Sequence, residues 1–334
     1  MIIKFILTFI VAFGLCATIM PIVIIATKKL KFRQTILKYV DKHQGKSGTP
    51  TMGGIGFIIS IVVTGLIFLQ KSEQKFMIML LLITFGYGVV GFLDDFIKIF
   101  FKRNEGLSPW QKIIFQFLLA IIVSVYAYNS LPMGDKLYLP FTLKALDIGV
   151  WIIPLYVLIF LALTNSVNLT DGLDGLAASV SRIYVLIFAT IIAITTYVDK
   201  GSFFDGQAVN LIIYCIAVAG ALTGFLLYNF YPAKIFMGDT GSLALGGGLG
   251  ALAVFSSQTL IVPIIGVMYV LSAVSVILQV AYYKKTKKRI FLMAPLHHHF
   301  EKKGVHENRI VGYYTAITLL VGLLVIAVTL LVNI

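Results

Sequence analysis

The chain has 334 residues, of which 59% are hydrophobic and only 12% are charged, and its formal net charge is +13. Soluble domains average about 45–50% apolar and roughly 25% charged residues, so this composition excludes an ordinary soluble protein and indicates an integral membrane protein. No polar segment between the apolar runs is long enough for a separate soluble domain. We therefore expect residues 1–334 to form a single domain surrounded by membrane lipid, with no nucleic acid as a partner.

The apolar runs are long enough to cross a bilayer as helices, because about 20 residues span its hydrocarbon core. Backbone groups in lipid must bond within their own segment, so helices are expected rather than open strands. The sequence thus predicts an all-α, polytopic membrane protein of about ten transmembrane helices. The predicted spans are 3–27, 52–70, 76–99, 110–129, 149–167, 174–197, 208–228, 240–257, 261–283 and 310–333.

The basic residues predict the orientation of these spans. Most of the 27 Lys and Arg residues fall in the loops after spans 1, 3, 7 and 9. Because basic residues are enriched in cytoplasmic loops, these loops are predicted to be cytoplasmic and both termini to face outward. Positive charge on one face also favours anionic partners there, either lipid head groups or phosphorylated metabolites. On the opposite side, the alternation of Leu137, Leu139, Phe141 and Leu143 predicts a short outer hairpin.

Four polar segments interrupt the apolar pattern, and all four fall on the predicted cytoplasmic side. They are Asp94-Asp95, the stretch from Asn168 to Ala177, residues 229–242, and His297-His298-His299. Acidic side chains in spans are costly to bury and typically mark functional sites. We therefore predict that the four segments meet in one site at the membrane face.

The acidic segments carry distinct patterns. Asp94 and Asp95 are neighbours on a predicted helix, so their side chains point about 100° apart and different roles are expected; a solvated pair at a helix end is the alternative. Asp171 and Asp174 are spaced i, i+3, which would place both on one helix face. Asn168 could cap the turn or hydrogen-bond a substrate.

The remaining segments suit a phosphate and a metal ion. Gly238-Asp-Thr-Gly-Ser242 at a helix start offers free backbone N–H groups, and Asp239 adds an oxygen ligand of the type that Mg²⁺ prefers. An ordinary cap and turn is the alternative. The three histidines lack the cysteines and spacing of a zinc site, so contact with phosphate or a solvated loop is expected instead. The stretch from Lys46 to Gly54 adds one cation and several hydroxyls.

Together these residue types predict metal-assisted phosphoryl transfer. Acidic groups alone would repel a phosphate, whereas a Mg²⁺ between them would attract it. The transferred group needs positioning and charge neutralisation more than covalent chemistry.

The motifs resemble those of the polyprenyl-phosphate N-acetylhexosamine-1-phosphate transferase superfamily, over nearly the whole chain. The His-His-His-Phe-Glu form is similar to that of its muramoyl branch, the phospho-N-acetylmuramoyl-pentapeptide transferases. The resemblance is carried by Gly48-Thr-Pro-Thr-Met-Gly-Gly54, Leu93-Asp-Asp-Phe-Ile-Lys98, residues 168–177, Phe236-Met-Gly-Asp-Thr-Gly-Ser242 and Pro295-Leu-His-His-His-Phe-Glu301.

The resemblance implies transfer of phospho-MurNAc-pentapeptide from UDP-MurNAc-pentapeptide to undecaprenyl phosphate, giving lipid I and UMP with Mg²⁺ as cofactor. It further implies a homodimer in the bacterial inner membrane with a cytoplasmic active site. By the same resemblance Asp94, Asp95 and Asp239 would be catalytic and would hold the metal, and His297 and His298 would contact the pyrophosphate. The implied substrate-binding residues are Lys46, Thr51, Asn168, Asp171, Asp174, Asn229, Phe236 and Gln279.

Two other functions compete with this one. A sister transferase acting on UDP-GlcNAc would use the same chemistry with a different pocket. An ion-coupled transporter would also carry acidic residues within its spans, but near the midplane of the bilayer. The reaction itself is expected to be a direct attack, since an acceptor phosphate with a second pKa near 6 is mostly dianionic at cytoplasmic pH. A covalent aspartyl-phosphate route is the alternative.

Overall fold

The computed structural model describes residues 1–30, 48–101, 106–131, 134–142, 144–203 and 205–333, without the side chain of Ser72. The described chain is almost entirely helical, with one two-stranded hairpin. Its helices are α1 (Ile2–Lys29), α2 (Gly54–Ile67), α3 (Gln74–Phe100), α4 (Pro109–Ser130), α5 (Ile152–Thr170), α6 (Leu176–Lys200), α7 (Gly206–Asn229), α8 (Gly238–Phe255), α9 (Val262–Ile265), α10 (Val267–Thr286), α11 (Leu296–Lys302) and α12 (Glu307–Asn333). The strands are β1 (Lys136–Tyr138) and β2 (Ala145–Asp147).

The polytopic all-α prediction is confirmed. Among the described residues, 8 helices are long and apolar enough to cross a membrane, namely α1, α3, α4, α5 with its preceding turn, α6, α7, α10 and α12. The other two predicted spans coincide with α2, a shorter apolar helix of 14 residues, and with α8. Helix α8 differs from the rest because every residue from Thr240 to Phe255 is buried inside the bundle.

Glycines explain how α8 can occupy the centre of the bundle. A Cβ at Gly246 would lie 2.4 Å from the Cα of Thr164 in α5, and one at Gly247 would lie 2.3 Å from the ring of Tyr87 in α3. Only hydrogen fits at these positions. Small residues allow close helix packing in membranes, where dispersion contacts hold helices together. These contacts hold the middle of α8 against α3 and α5.

The two ends of the bundle carry different groups. At one end Lys4 donates to Gln70 (Nζ–Oε1 3.1 Å), and Asn333 donates to the carbonyl of Phe141 (2.8 Å). Both termini therefore lie at the end opposite to the acidic residues. The predicted hairpin is confirmed at this end, with Leu137 paired to Leu146; Leu143 lies outside the described residues. Which end faces the cytoplasm stays a prediction.

Candidate active site

Asp94, Asp95 and Asp239 form an acidic cluster at one end of the bundle. One carboxylate oxygen from each lies within 4.8 Å of the others. Asp94 and Asp95 come from the last turns of α3 and are 2% and 4% exposed, and Asp239 comes from the first turn of α8. The two helices meet there because Gly91 has no side chain; a Cβ would overlap the carbonyl oxygen of Asp239 at 2.0 Å.

The two adjacent acids of α3 make different contacts, as their spacing predicted. Both oxygens of Asp95 accept hydrogen bonds from the start of α8: Oδ1 from the Asp239 N–H (3.2 Å), and Oδ2 from the N–H (2.9 Å) and hydroxyl (2.7 Å) of Thr240. The N–H groups at a helix start have no partner within the helix, and a negative charge there is favourable. Asp95 therefore caps α8 from a neighbouring helix.

Asp94 is turned toward two lysines. Its Oδ1 accepts from the Leu107 N–H (3.0 Å), and its Oδ2 pairs with Lys98 and lies 3.9 Å from the Nζ of Lys112. The same two lysines contact Asp239 Oδ2, at 2.7 Å and 2.8 Å. Asp94 and Asp239 of the acidic cluster therefore alternate with the ammonium groups of Lys98 and Lys112.

The two lysines were not assigned a role from the sequence. Lys98 stands in the Leu93–Lys98 motif, four residues after Asp94, and this i, i+4 spacing was an available signal. Lys112 had no local signal, because it reaches the cluster from α4 across a loop. Its role follows only from the packing of α4 against α3 and α5.

Asn168 and Asp171 extend the cluster from the end of α5. The Nδ2 of Asn168 donates to Asp239 Oδ1 (2.6 Å) and to the Ser242 hydroxyl (2.8 Å). The amide therefore fixes the orientation of the Asp239 carboxylate. Burial raises the pKa of the Asp171 carboxyl well above its usual value, and the nearby charges of Asp239 and Asp95 raise it further.

The prediction that Asp171 and Asp174 share a helix face is wrong. Helix α5 ends at Thr170, and α6 begins at Leu176 after Gly175, whose φ of +77° is left-handed and favours glycine. The two acids therefore lie in the turn between the helices. The i, i+3 spacing therefore does not place them on one helix face.

Asp174 and Asn229 form a second layer that holds three chain segments together. Asp174 Oδ2 accepts from the Ala233 N–H (2.9 Å), and the Asp174 N–H donates to Glu307 at the start of α12. Asn229 Oδ1 accepts from the Gly175 N–H (3.1 Å), while its Nδ2 donates to the Ile235 carbonyl (2.9 Å). These side chains satisfy backbone groups of the turn, so both residues shape the site through its backbone.

His297 and His298 lie against the turn between α5 and α6. A Cβ at Gly172 would lie 2.3 Å from His297 Nε2 and 2.9 Å from His298 Nε2. His298 Nδ1 also lies 2.9 Å from Glu301 Oε2. His299 points elsewhere, because its Nδ1 accepts from the Leu292 N–H (3.1 Å).

His297 is fully buried, and neither of its ring nitrogens has a hydrogen-bond partner among the residues that the structure describes. Burial lowers the pKa of His297 well below its usual value, and the neighbouring His298 lowers it further. The ring is therefore neutral at pH 7. A buried polar atom without a partner is costly, and such sites commonly receive a ligand or water.

The remaining predicted residues have separate positions. Residues 50–54 pair with 236–237, since the Phe236 N–H donates to Pro50 (2.8 Å) and the Gly53 N–H donates to Phe236 (2.9 Å). This pairing brings Thr51 beside Gly238, where a Cβ would lie 2.8 Å from the threonine Oγ1. Gln279 bonds the backbone of Ile290 and Phe291, so it holds a loop and is not among the groups contacting the acidic cluster. Lys46 lies outside the described residues.

The donor set fits a divalent cation of the Mg²⁺ class. Such ions take one or two carboxylates together with substrate phosphate oxygens. Asp94 Oδ2 and Asp239 Oδ2 share the same two lysine partners, so these oxygens converge on one point. Asp95 is less suited, because both its oxygens already accept from α8.

Residues 76–257 match the family described as Glycosyl transferase family 4. Curated relatives match nearly the whole chain. The phospho-N-acetylmuramoyl-pentapeptide-transferase of Clostridium novyi (strain NT) is 45% identical over 306 residues, which cover 91% of this chain and 90% of the relative. The protein of the same name from Clostridioides difficile (strain 630) is 44% identical over 319 residues, 94% of each chain. The one from Thermoanaerobacter sp. (strain X514) is 45% identical over 318 residues, 95% of this chain and 96% of the relative.

Proposed function

The chain belongs to glycosyl transferase family 4, and we propose that it moves phospho-MurNAc-pentapeptide from UDP-MurNAc-pentapeptide to undecaprenyl phosphate. It is a phosphoglycosyl transferase of a multi-pass membrane type. The products would be lipid I and UMP, in the first membrane step of peptidoglycan synthesis. The observation that carries the proposal is the meeting of Asp94, Asp239, two lysines and two histidines at one end of a membrane bundle.

The acidic cluster would handle the charge of the reaction. Asp94 and Asp239 would hold Mg²⁺, which when bound neutralises negative charge on the transferred phosphate. Lys98 and Lys112, now paired with these carboxylates, would turn to phosphate oxygens of the substrates. Asn168 would keep the Asp239 carboxylate in its present orientation. Asp95 would act indirectly, by holding the start of α8 in place.

The bond changes can be assigned without an added base. An oxygen of the acceptor phosphate attacks the β-phosphorus of the UDP substrate, and the bond from that phosphorus to the bridging oxygen breaks, releasing UMP. The acceptor oxygen already carries its charge near neutral pH, since its second pKa is near 6. The contacts of Asp94 with Leu107 and Lys98 support a role in holding phosphate and metal rather than in accepting a proton.

The segments beside the acidic cluster would recognise the rest of the donor. Phe236, Asn229, Asp174, Asp171 and Thr51 line segments that meet beside the acidic cluster, and they would bind the nucleotide and sugar together with Lys46 and Gln279. Neutral His297 can donate one hydrogen bond and accept another, which suits a pyrophosphate oxygen and an ordered water. A homodimer in the bacterial inner membrane remains the expectation from the family resemblance.

The charge distribution supports a cytoplasmic site. Lysines at the ends of α1, α3 and α10 share the end of the bundle that carries the acidic cluster, whereas the termini lie at the other end. Cytoplasmic placement follows if basic residues mark the inner face. UDP-linked donors are made in the cytoplasm, so the donor would reach the site from that side.

The decisive assay measures UMP release by the purified full chain in detergent. With UDP-MurNAc-pentapeptide and undecaprenyl phosphate, we expect UMP release that requires Mg²⁺ and is abolished by chelation. UDP-GlcNAc in place of the donor should release little. Preferential use of UDP-GlcNAc would assign the chain to the sister activity instead. Absence of UMP release with either donor would favour the transporter alternative, although the acids lie at one end of the bundle.

A further inference from the structure

An open groove lies between α6 and α12, outside the active site. The two helices run in the same direction, and both begin at the end of the bundle that holds the acidic cluster. The groove has a volume of about 580 Å³ and is lined by Ser179, Arg182, Asn308, Thr315 and Leu319, among others. Phe230 and Tyr231 also line it.

Arg182 is unusual because it is a half-buried cation within a membrane helix. It lies six residues into α6, which is about 9 Å below the helix start at 1.5 Å per residue. Within the described parts of the chain, no acidic side chain or hydrogen-bonding group is paired with its guanidinium. Arginines within spans normally pair with a counter-charge or reach the interface. This guanidinium is therefore available to an anionic partner.

The groove changes from polar to apolar along its length. Ser179 and Asn308 lie in the first turns of α6 and α12, Arg182 follows Ser179 by three residues, and Ala316 and Leu319 lie further along α12. From Asn308 to Leu319 the helix advances about 16 Å. Beyond the groove, Leu320, Leu323 and Leu324 expose half or more of their side chains. A polar head with a neighbouring apolar path is the shape of one amphiphile lying along a helix.

We propose that this groove binds an anionic diacyl phospholipid, with its phosphate on Arg182 and an acyl chain along α12. Guanidinium and phosphate form strong charge-assisted hydrogen bonds, and Ser179 and Asn308 can donate further ones. A free phosphate would use only the polar end. The acceptor lipid of the reaction is a poorer occupant, because its phosphate must reach Asp94 and Asp239 rather than Arg182.

The groove is connected to the active site through one short loop. Phe230 packs on Gly175, with its ring 3.2 Å from the position a Cβ would take there. Three residues later the Ala233 N–H bonds Asp174, and the neighbour of Asn308 is Glu307, which accepts from Asp174. A lipid in the groove would therefore stabilise the loop and helix start that hold this turn.

The test measures lipid binding by the full chain in neutral detergent and does not depend on the catalytic assay. Short-chain phosphatidylglycerol is the probe, with phosphatidylcholine of equal chain length, inorganic phosphate and a polyprenyl phosphate as separate arms. Bound lipid is counted by native mass spectrometry, and Tm is followed in parallel. We expect phosphatidylglycerol to bind and to raise Tm, and the other three to do so much less.

Variants connect the binding to this groove. Loss of a charged hydrogen bond in Arg182→Gln should weaken phosphatidylglycerol binding about tenfold to hundredfold. Arg182→Lys should weaken it less. Ala316→Trp fills the apolar part, and should also reduce binding in a chain that keeps Arg182. The matched control is Lys200→Gln, which removes one cation from the other end of the same helix and should bind as wild type.

Four results would overturn the proposal. Equal phosphatidylglycerol binding by Arg182→Gln and wild type would remove the groove as the site. Equal stabilisation by inorganic phosphate would show a free anion site, and binding of the polyprenyl phosphate alone would assign the groove to the substrate. A cross-link between Ala316→Cys copies that excludes lipid would show that a second chain covers it.

Discussion

The acidic cluster differs in its electrostatics from the histidine side of the active site, which consists of His297, Gly172 and Asp174. At the acidic cluster, Asp94, Asp239, Lys98 and Lys112 are charged groups in direct contact. On the histidine side, neutral His297 packs against Gly172, and the Asp174 carboxylate accepts from the backbone N–H of Ala233. Under the proposed function, charge is concentrated where phosphate charge would be neutralised. Shape and hydrogen bonding are concentrated where the rest of the donor would be recognised.

The difference predicts that neighbouring residues will tolerate substitution differently. A charged group in the acidic cluster has several charged partners, so removing its charge changes the electrostatic interactions of all of them. A group on the histidine side contacts fixed backbone, so a change in volume there is more harmful than a change in charge. Five variants test this division, beginning with the largest effect.

Asp239→Asn should cause the largest loss of activity. Asp239 contacts Lys98, Lys112 and Asn168. The substitution removes the negative charge that all three side chains contact. We expect kcat to fall at least about 10²–10³-fold, the range seen when one preorganised electrostatic group is lost. The loss should be the same from pH 7 to 9. UMP release is the measurement, and Asp205→Asn, which breaks an ion pair at the opposite end, should retain activity.

Asp94→Asn offers the matched comparison within the acidic cluster. Because the acceptor phosphate is already dianionic, this variant should keep measurable activity at mildly alkaline pH. Equal, pH-independent loss in Asp94→Asn and Asp239→Asn would contradict this ordering. Trapping of a phosphorylated enzyme with the UDP donor alone would establish the covalent route.

Gly172→Ala should follow, with an effect caused by volume alone. The new methyl would lie 2.3 Å from the Nε2 of His297, a fully buried ring that cannot move freely. We expect kcat/KM to fall about tenfold or more, because misplacement of positioning groups by an ångström can cost about a hundredfold. Gly14→Ala is the control, since nothing lies within 4 Å of its Cβ position. Normal kcat/KM in Gly172→Ala would mean that the imidazoles do not need this packing.

Asp95→Asn should affect stability as well as rate. An asparagine carries one acceptor oxygen and no charge, whereas Asp95 accepts from the Asp239 N–H and from both the N–H and the hydroxyl of Thr240. Loss of a charge at a helix start costs up to about 2 kcal/mol in buried geometries, so Tm should fall by several degrees. Thr240→Val is the matched variant, since it removes the hydroxyl bond and keeps the N–H bond. It should lower Tm less. An unchanged Tm in Asp95→Asn would remove its capping role.

The helices could be predicted from the sequence because a lipid environment imposes long apolar runs with internal backbone bonding. The site could be predicted only as a set of segments. Asp94, Asp239 and Asn168 were identified because polar residues at span ends are conspicuous. Lys112, Glu307 and the contact of Gly172 with His297 were not, since each depends on packing between segments far apart in the chain. The prediction that Asp171 and Asp174 share a helix face is wrong because i, i+3 spacing also occurs in turns.

His297 should give the smallest effect, visible as a pH dependence of stability. Its pKa is lowered well below the usual value by burial, so the folded chain holds the ring neutral. The unfolded chain takes up a proton below about pH 6.5, and this favours unfolding. The contribution of His297 to the free energy of unfolding is therefore fully present above that pH and falls by up to about 1.4 kcal/mol per pH unit below it.

Between pH 7.5 and pH 5.5, Tm should drop more for wild type than for His297→Gln. His306→Gln, which alters an exposed histidine, should retain the wild-type drop. Parallel drops in wild type and His297→Gln would show that the pKa of His297 is not lowered in the folded chain, and the division between a charged and a neutral side would then fail.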